Sequence, residues 1–112
     1  MRNASAIAWF FMALAGALMG VLLVVSDEPG ATAGRWHLAF AVLGLGMGSW
    51  GWGRGRMPGA YVIVSALVTA AIAAQAYLIG EFAYLGLTNI LMVLAAVATV
   101  LGLIAWFRSG RR

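Results

Sequence analysis

The side chains of this sequence that could do chemistry are few, and its apolar stretches contain no formally charged residue. There is no cysteine, a single histidine, His37, and only three acidic residues, all in short polar segments. The lack of cysteine excludes disulfides, thiolate metal sites and a cysteine nucleophile. A haem or metal site at His37 would need further ligands, from a second copy's histidine or from methionine. We therefore predict no catalytic residue, no metal site and no cofactor.

Five polar residues are predicted to lie in the half of the protein away from its termini: His37, Gln75, Tyr77, Glu81 and Asn89. One hypothesis is that the two amides, Gln75 and Asn89, form hydrogen bonds between helices, each contributing about 0.6 kcal/mol. The other hypothesis is that the five residues line a shallow polar pocket open to the outer side of a membrane. His37 lies one residue into an apolar stretch, so we expect it to bond to water or headgroups at the interface.

The elements that position these residues are four apolar stretches, at 4–25, 36–52, 60–79 and 82–107. Apolar residues form 64% of the chain and charged residues 9%, whereas soluble domains have roughly 45–50% and about 25%. Lipid must therefore surround most of the protein. Each stretch has about the 20 residues needed to span a bilayer, where the backbone must satisfy its own hydrogen bonds. We predict a single all-α domain over 1–112, a four-transmembrane-helix bundle with helices at about 4–25, 34–53, 59–79 and 82–107.

The basic residues are all arginine and lie mainly at one end of the predicted bundle. That end holds six arginines and no acid: Arg2, Arg54, Arg56, Arg108, Arg111 and Arg112. The opposite end holds Arg35 and all three acids. The positive-inside rule then predicts that both termini are cytoplasmic. Arginine-only basic usage and richness in alanine and glycine are typical of GC-rich bacterial genomes, so we expect the bacterial cytoplasmic (inner) membrane. We assign the net charge of +4 to the membrane edge, where it meets anionic headgroups, and expect no nucleic acid partner.

Small residues recur at a spacing of four and predict where the helices approach closely. The residues predicted to pack in this way are Gly16 and Gly20, Gly44 and Gly48, and, on the fourth helix, Thr99 with Ala95 and Gly102 with Ala98.

The two halves of the chain also show a weak repeat. A shift of 54 positions aligns Arg2 with Arg56 and Trp52 with Trp106. This is consistent with two repeated helical hairpins, but membrane thickness alone gives helices of near-equal length a similar period, and we favour that explanation.

These features favour a non-catalytic accessory, assembly or scaffold subunit of a larger membrane complex, or a homo-oligomer. An alternative is a small transporter or channel, because four helices in this length resemble the small multidrug transporters in size and topology. That family depends on a membrane-embedded glutamate in its first helix, and stretch 4–25 has no acid. A permeant would therefore be uncharged or lipid-like. A second alternative is a haem- or quinone-binding membrane anchor, which only His37 supports.

Overall fold

The computed structural model describes residues 3–28, 30–53, 56–80 and 84–109. Within these ranges the chain is all-helical, with four helices: α1 (Ala4–Val24), α2 (Gly30–Gly51), α3 (Gly59–Ala74), which continues as a π-helical turn (Gln75–Ile79), and α4 (Leu85–Arg108). By length and composition, α1, α4 and the continuous stretch Gly59–Ile79 can each cross a membrane. For α2 this is less clear, because glycines, Arg35 and His37 dilute its apolar content.

Helix α2 begins at Gly30, four residues before the predicted start at 34. The carboxylate of Glu28 explains the earlier start, because its Oε1 accepts hydrogen bonds from the Thr32 amide at 2.8 Å and the Thr32 hydroxyl at 2.7 Å. Amides in the first turn of a helix have no partner within the helix, so such a cap stabilises that turn. At the other end, Gly53 has a φ of 75°, which lets the chain turn away after α2. The predicted start of the fourth helix, at 82, lies outside the described residues.

Helices α1 and α2 pack backbone to backbone along much of their length. A Cβ added at Gly16 would lie 3.0 Å from the carbonyl oxygen of His37, and one at Gly20 would lie 3.0 Å from that of Gly34. A Cβ at Gly34 would overlap the Val24 amide nitrogen and lie 2.8 Å from the Gly20 carbonyl oxygen. These positions admit only glycine at the present helix separation.

The same contact continues toward the second end of α2. A Cβ added at Gly44 would lie 2.8 Å from the Met12 methyl group and 3.1 Å from the Trp9 carbonyl oxygen. At Gly48 it would meet the ring of Phe10 at 2.6 Å. Close packing replaces the hydrophobic effect as the main source of helix association in lipid, so this seam holds α1 to α2.

We call the end of the bundle that carries Ser5, Gly51, Tyr61 and Gly102 the termini end, and the opposite end the loop end. At the termini end Tyr61 is fully buried and joins all four helices. The Ser5 hydroxyl donates to the Ala98 carbonyl at 2.7 Å and lies 2.7 Å from the Tyr61 hydroxyl, which therefore donates to it. Glycine makes room for the ring on two sides, since a Cβ at Gly51 or Gly102 would come within 2.7 or 3.1 Å of it.

Helix α3 packs mainly on α4, and α2 and α3 make few direct contacts. The hydroxyls of Thr69 and Thr99 lie 3.1 Å apart across the α3–α4 interface. Arg56 and Arg108 lie at the termini end, just before α3 and at the end of α4. The other arginines predicted for that end, Arg2, Arg54, Arg111 and Arg112, lie outside the described residues. The repeated-hairpin hypothesis stays a prediction.

Replacing Gly34 with alanine is expected to destabilise the fold, because the new methyl group would force α1 and α2 apart. Overpacking of this kind costs about 1–3 kcal/mol. Gly46 is the matched control on the same helix, since a Cβ there meets nothing within 4 Å. Gly46→Ala should leave stability unchanged or raise it by about 0.5–1 kcal/mol. Unfolding in mixed micelles, followed by circular dichroism, measures both. Equal stability of the two variants would contradict the close α1–α2 contact.

Candidate functional site

A partly open cavity of about 360 Å³ lies at the loop end. Its walls come from the start of α2, the π-helical turn after α3 and the start of α4, and none of its lining residues belongs to α1. This is the end at which α2 and α3 separate, since the two helices meet through Gly51 and Tyr61 at the termini end. Cavities that bind small ligands measure roughly 300–1,000 Å³, so this one has room for a small group.

Gln75 lies in the wall of the cavity and is 7% exposed. Its Oε1 accepts no hydrogen bond within the described part of the chain. The indole N–H of Trp9 and the hydroxyl of Ser65 also have no hydrogen-bond partner there, but neither residue lines the cavity. A buried polar atom without a partner costs about 1–3 kcal/mol. Among the described residues, Gln75 is therefore the buried polar side chain that lacks a hydrogen-bond partner and also borders open space.

The π-helical turn that begins at Gln75 shapes this wall. Turns of this type are rare and occur frequently at functional sites. Gly80 ends the turn, and a Cβ there would lie 2.8 Å from the Gln75 carbonyl oxygen and 3.1 Å from that of Ala76. Glycine at 80 thus allows the chain to leave the turn without covering Gln75.

His37 lies behind the cavity and is 1% exposed. Its Nδ1 is 2.7 Å from the Ala33 carbonyl oxygen, so Nδ1 carries the proton and donates it. Its Nε2 is 3.3 Å from the hydroxyl of Thr88, a lining residue. The expectation that His37 bonds to water or headgroups is wrong, because its side chain is buried within the protein. Both ring nitrogens face protein partners, which disfavours haem or metal ligation and a shared site with a second copy's histidine.

Two of the three hydroxyl groups in the cavity wall, those of Thr32 and Thr88, donate their protons within the protein. Thr88 lies 3.1 Å from the Tyr84 carbonyl oxygen, to which it donates, and the alternative acceptor for its proton is Nε2 of His37. Thr32 donates to the Glu28 carboxylate. Each hydroxyl has one proton, so neither is free to donate to a bound molecule.

Glu28, at the rim of the cavity, forms an ion pair with Arg35 outside the lining, in which Nη2 of Arg35 lies 3.2 Å from Oε2 of Glu28. Both side chains are well exposed, so the pair contributes little to stability. The Thr32 hydroxyl, followed by the Thr32 amide and then Arg35, lowers the pKa of Glu28 from its ordinary value of 4.5. Hydrogen bonds to the charged form of a carboxylate favour that form, so Glu28 is anionic at neutral pH.

The five residues predicted for a polar pocket occupy different places. Gln75 lines the cavity, and His37 contacts it through Thr88. Tyr77 donates to Oδ1 of Asn89 at 2.9 Å on a more exposed surface, and neither residue is part of the cavity wall. Glu81 lies outside the described residues.

The sequence did not lead us to two walls of the cavity. Glu28, Thr32 and Trp36 lie in the wall at the start of α2, and Tyr84 and Thr88 lie in the wall at the start of α4. A signal for both walls exists in the sequence. These residues are four apart along their helices, a spacing that places side chains on one helix face.

Comparison of this chain with protein-family models, with curated proteins and with solved structures finds no match. The candidate site is therefore assigned from its geometry.

Acidification is expected to loosen the first turn of α2. Because the pKa of Glu28 in the folded protein is below its ordinary value of 4.5, its stabilising effect is complete above that pH and is lost as the pH falls through the lowered pKa. Hydrogen exchange of the Thr32 amide between about pH 6 and pH 3, corrected for the intrinsic rate, measures the effect. In Glu28→Gln, which keeps an acceptor oxygen but does not titrate, protection should not depend on pH. Equal protection at both pH values in the unmodified protein would contradict the role of the carboxylate.

Proposed function

We propose that this chain is a non-catalytic integral-membrane subunit that assembles with other membrane helices through α2. Its four helices span the bacterial cytoplasmic membrane, with both termini in the cytoplasm. Its partner is another copy of the chain or a different subunit of a larger membrane complex. The outward face of α2 is the observation that carries this proposal.

On the outward side of α2, where Trp36, Leu43 and Leu45 are also exposed, five exposed residues form a central stripe: Arg35, Ala39, Val42, Gly46 and Ser49. Their spacings of four and three place them within about 80° of the helix circumference. Three of them are small, and a Cβ added at Gly46 would meet nothing within 4 Å. Small residues on one face allow a neighbouring helix to approach closely. The face thus has the composition of the α1–α2 seam, yet no helix among the described residues covers it.

The polarity of α2 supports the same proposal. It is the one helix of the four that does not reach the hydropathy of a membrane span among the described residues, and its outward face includes a serine and an arginine. By contrast, the outward residues of α1 are large and apolar, such as Leu14, Leu18 and Leu22. Lipid suits the surface of α1, whereas a protein neighbour suits α2 better.

The proposed orientation follows from charge. Arg56 and Arg108 lie at the termini end, and four further arginines adjoin this end in the sequence. Asp27 and Glu28 lie at the loop end, where Arg35 is paired with Glu28. The loops are short, and this is the range in which the distribution of basic residues sets topology.

Replacing Gly46 with leucine is expected to break the assembly, because the larger side chain would hold a partner helix away from α2. We expect the association constant of the variant to be at least about tenfold lower, which corresponds to a loss of about 1.4 kcal/mol of association free energy. Native mass spectrometry from mild detergent, together with cross-linking in intact membranes, measures this and distinguishes a second copy from a different subunit.

Gly86→Leu is the matched control, since Gly86 also has open space around its Cβ position but lies in the first turn of α4. It should assemble as the unmodified chain does. A monomeric unmodified chain without partners in intact membranes, or an unchanged assembly of Gly46→Leu, would contradict the proposed function.

The absence of cysteine allows a direct test of topology with single introduced thiols. Ser26→Cys lies at the loop end and Ser109→Cys at the termini end, just after α4. In intact cells a membrane-impermeant maleimide should label Cys at 26 readily and at 109 only after the membrane is opened, because positive charge holds the termini in the cytoplasm. Labelling of both positions from one side would contradict the proposed topology.

A further inference from the structure

We propose that the loop-end cavity binds the head group of a zwitterionic phospholipid that carries N–H donors, as phosphoethanolamine does. This inference assumes that the chain lies in a membrane, but it does not depend on assembly through α2. It is carried by the unpartnered amide oxygen of Gln75, which is 7% exposed and lies in the wall of the cavity.

The wall also contains donors, on Gln75, Trp36 and Tyr84, but the two threonine hydroxyls and Oε1 of Gln75 favour a ligand that donates. The hydroxyl protons of Thr32 and Thr88 are used within the protein, whereas Oε1 of Gln75 lacks a donor. The carboxylate of Glu28 at the rim has further lone pairs beyond its bonds to Thr32 and Arg35. A primary ammonium group has three N–H donors, and a quaternary ammonium of the same charge has none.

Glu28 at the rim and its ion-pair partner Arg35, which does not itself line the cavity, add charges of both signs beside it. Glu28 and Arg35 lie 3.2 Å apart, and both are well exposed. A zwitterionic head group has an ammonium that matches the carboxylate and a phosphate that matches the guanidinium, whose planar fork suits phosphate oxygens. An uncharged ligand would use neither, and an anionic ligand would be repelled by Glu28.

Size and surroundings agree with a head group. A volume of about 360 Å³ is near the lower limit for ligand sites, so the acyl chains would remain outside. Trp36 and Tyr84 are both lining residues. Their rings are apolar and their N–H and O–H groups polar, and such residues are enriched at the depth of lipid head groups.

The comparison of two lipids tests the proposal. Phosphatidylethanolamine and phosphatidylcholine have the same net charge and differ in the presence of N–H donors. With the protein in nanodiscs of an equal mixture of the two, native mass spectrometry after transfer to detergent measures which lipid stays bound. We expect the ethanolamine lipid to be retained about threefold to tenfold more, the effect of one or two additional hydrogen bonds. Equal retention would overturn the proposal.

Two variants locate the binding at the cavity. Gln75→Met keeps the length of the side chain and removes the amide, and it should reduce the preference to about equal retention. Tyr77→Phe is the matched control, because Tyr77 lies two residues away and its hydroxyl bonds to Asn89 outside the cavity. It should keep the full preference. A preference that persists in Gln75→Met, or is lost equally in Tyr77→Phe, would overturn the assignment to Gln75.

A third variant tests the cavity itself in a protein that keeps its fold. Ala76→Leu fills the cavity from the same turn and should reduce retention of both lipids, with helicity unchanged. Unchanged lipid retention in a folded Ala76→Leu protein would contradict the cavity as the binding site.

Two further measurements distinguish this proposal from the proposed assembly through α2 and from the binding of a water-soluble ligand. Gly46→Leu should keep the lipid preference, so a failure of assembly and a failure of lipid binding are distinguishable. Glycerophosphoethanolamine, which lacks acyl chains, should bind far more weakly than the lipid. Equally tight binding would identify a water-soluble ligand and overturn the bilayer as the source.

Discussion

The close contact between α1 and α2 is the constraint on which the rest of the structure depends. In lipid no hydrophobic force distinguishes a helix from an acyl chain, so helices associate where their surfaces fit closely. Here the carbonyl groups of His37 and Trp9 lie where side chains at Gly16 and Gly44 would otherwise stand. Because α2 follows α1 along this seam, it cannot also follow α3. The opposite face of α2 is left without a neighbouring helix among the described residues, and α2 meets α3 at one end.

The two ends of the bundle are therefore packed differently. At the termini end Tyr61 fills the space among four helices, and its hydroxyl, that of Ser5 and the carbonyl of Ala98 satisfy one another. At the loop end no described residue of comparable size occupies the gap, and Oε1 of Gln75 has no hydrogen-bond partner, while other polar groups bond along the helices that carry them. The Thr88 hydroxyl bonds to the Tyr84 carbonyl and the His37 ring to the Ala33 carbonyl. The space between these helices stays open.

The sequence predicted the number and nature of the helices because four uncharged apolar stretches of membrane-spanning length have few alternatives in lipid. It did not predict the depth of His37, since that depth was read from the first apolar residue, whereas the Glu28 cap starts α2 earlier. Nor did it predict which polar residues share a surface. Gln75 and Tyr77 are two residues apart and so lie about 200° apart around a regular helix. A pocket that included both was inconsistent with helical geometry. The angular position of each residue around the helix axis would have been a better guide than its depth in the membrane.

The pair of Glu28 and Arg35 connects the two surfaces that α2 presents. Glu28 belongs to the rim of the cavity, and Arg35 belongs to the outward face of α2. A phosphate group at the rim would compete with the carboxylate for the guanidinium, and an ammonium group would compete with the guanidinium for the carboxylate. Either event changes the charge that Arg35 offers to a neighbouring helix. An exposed ion pair contributes little to stability, so its partners can exchange at small cost. This exposed ion pair is thus the polar contact that the rim of the cavity shares with the outward face of α2.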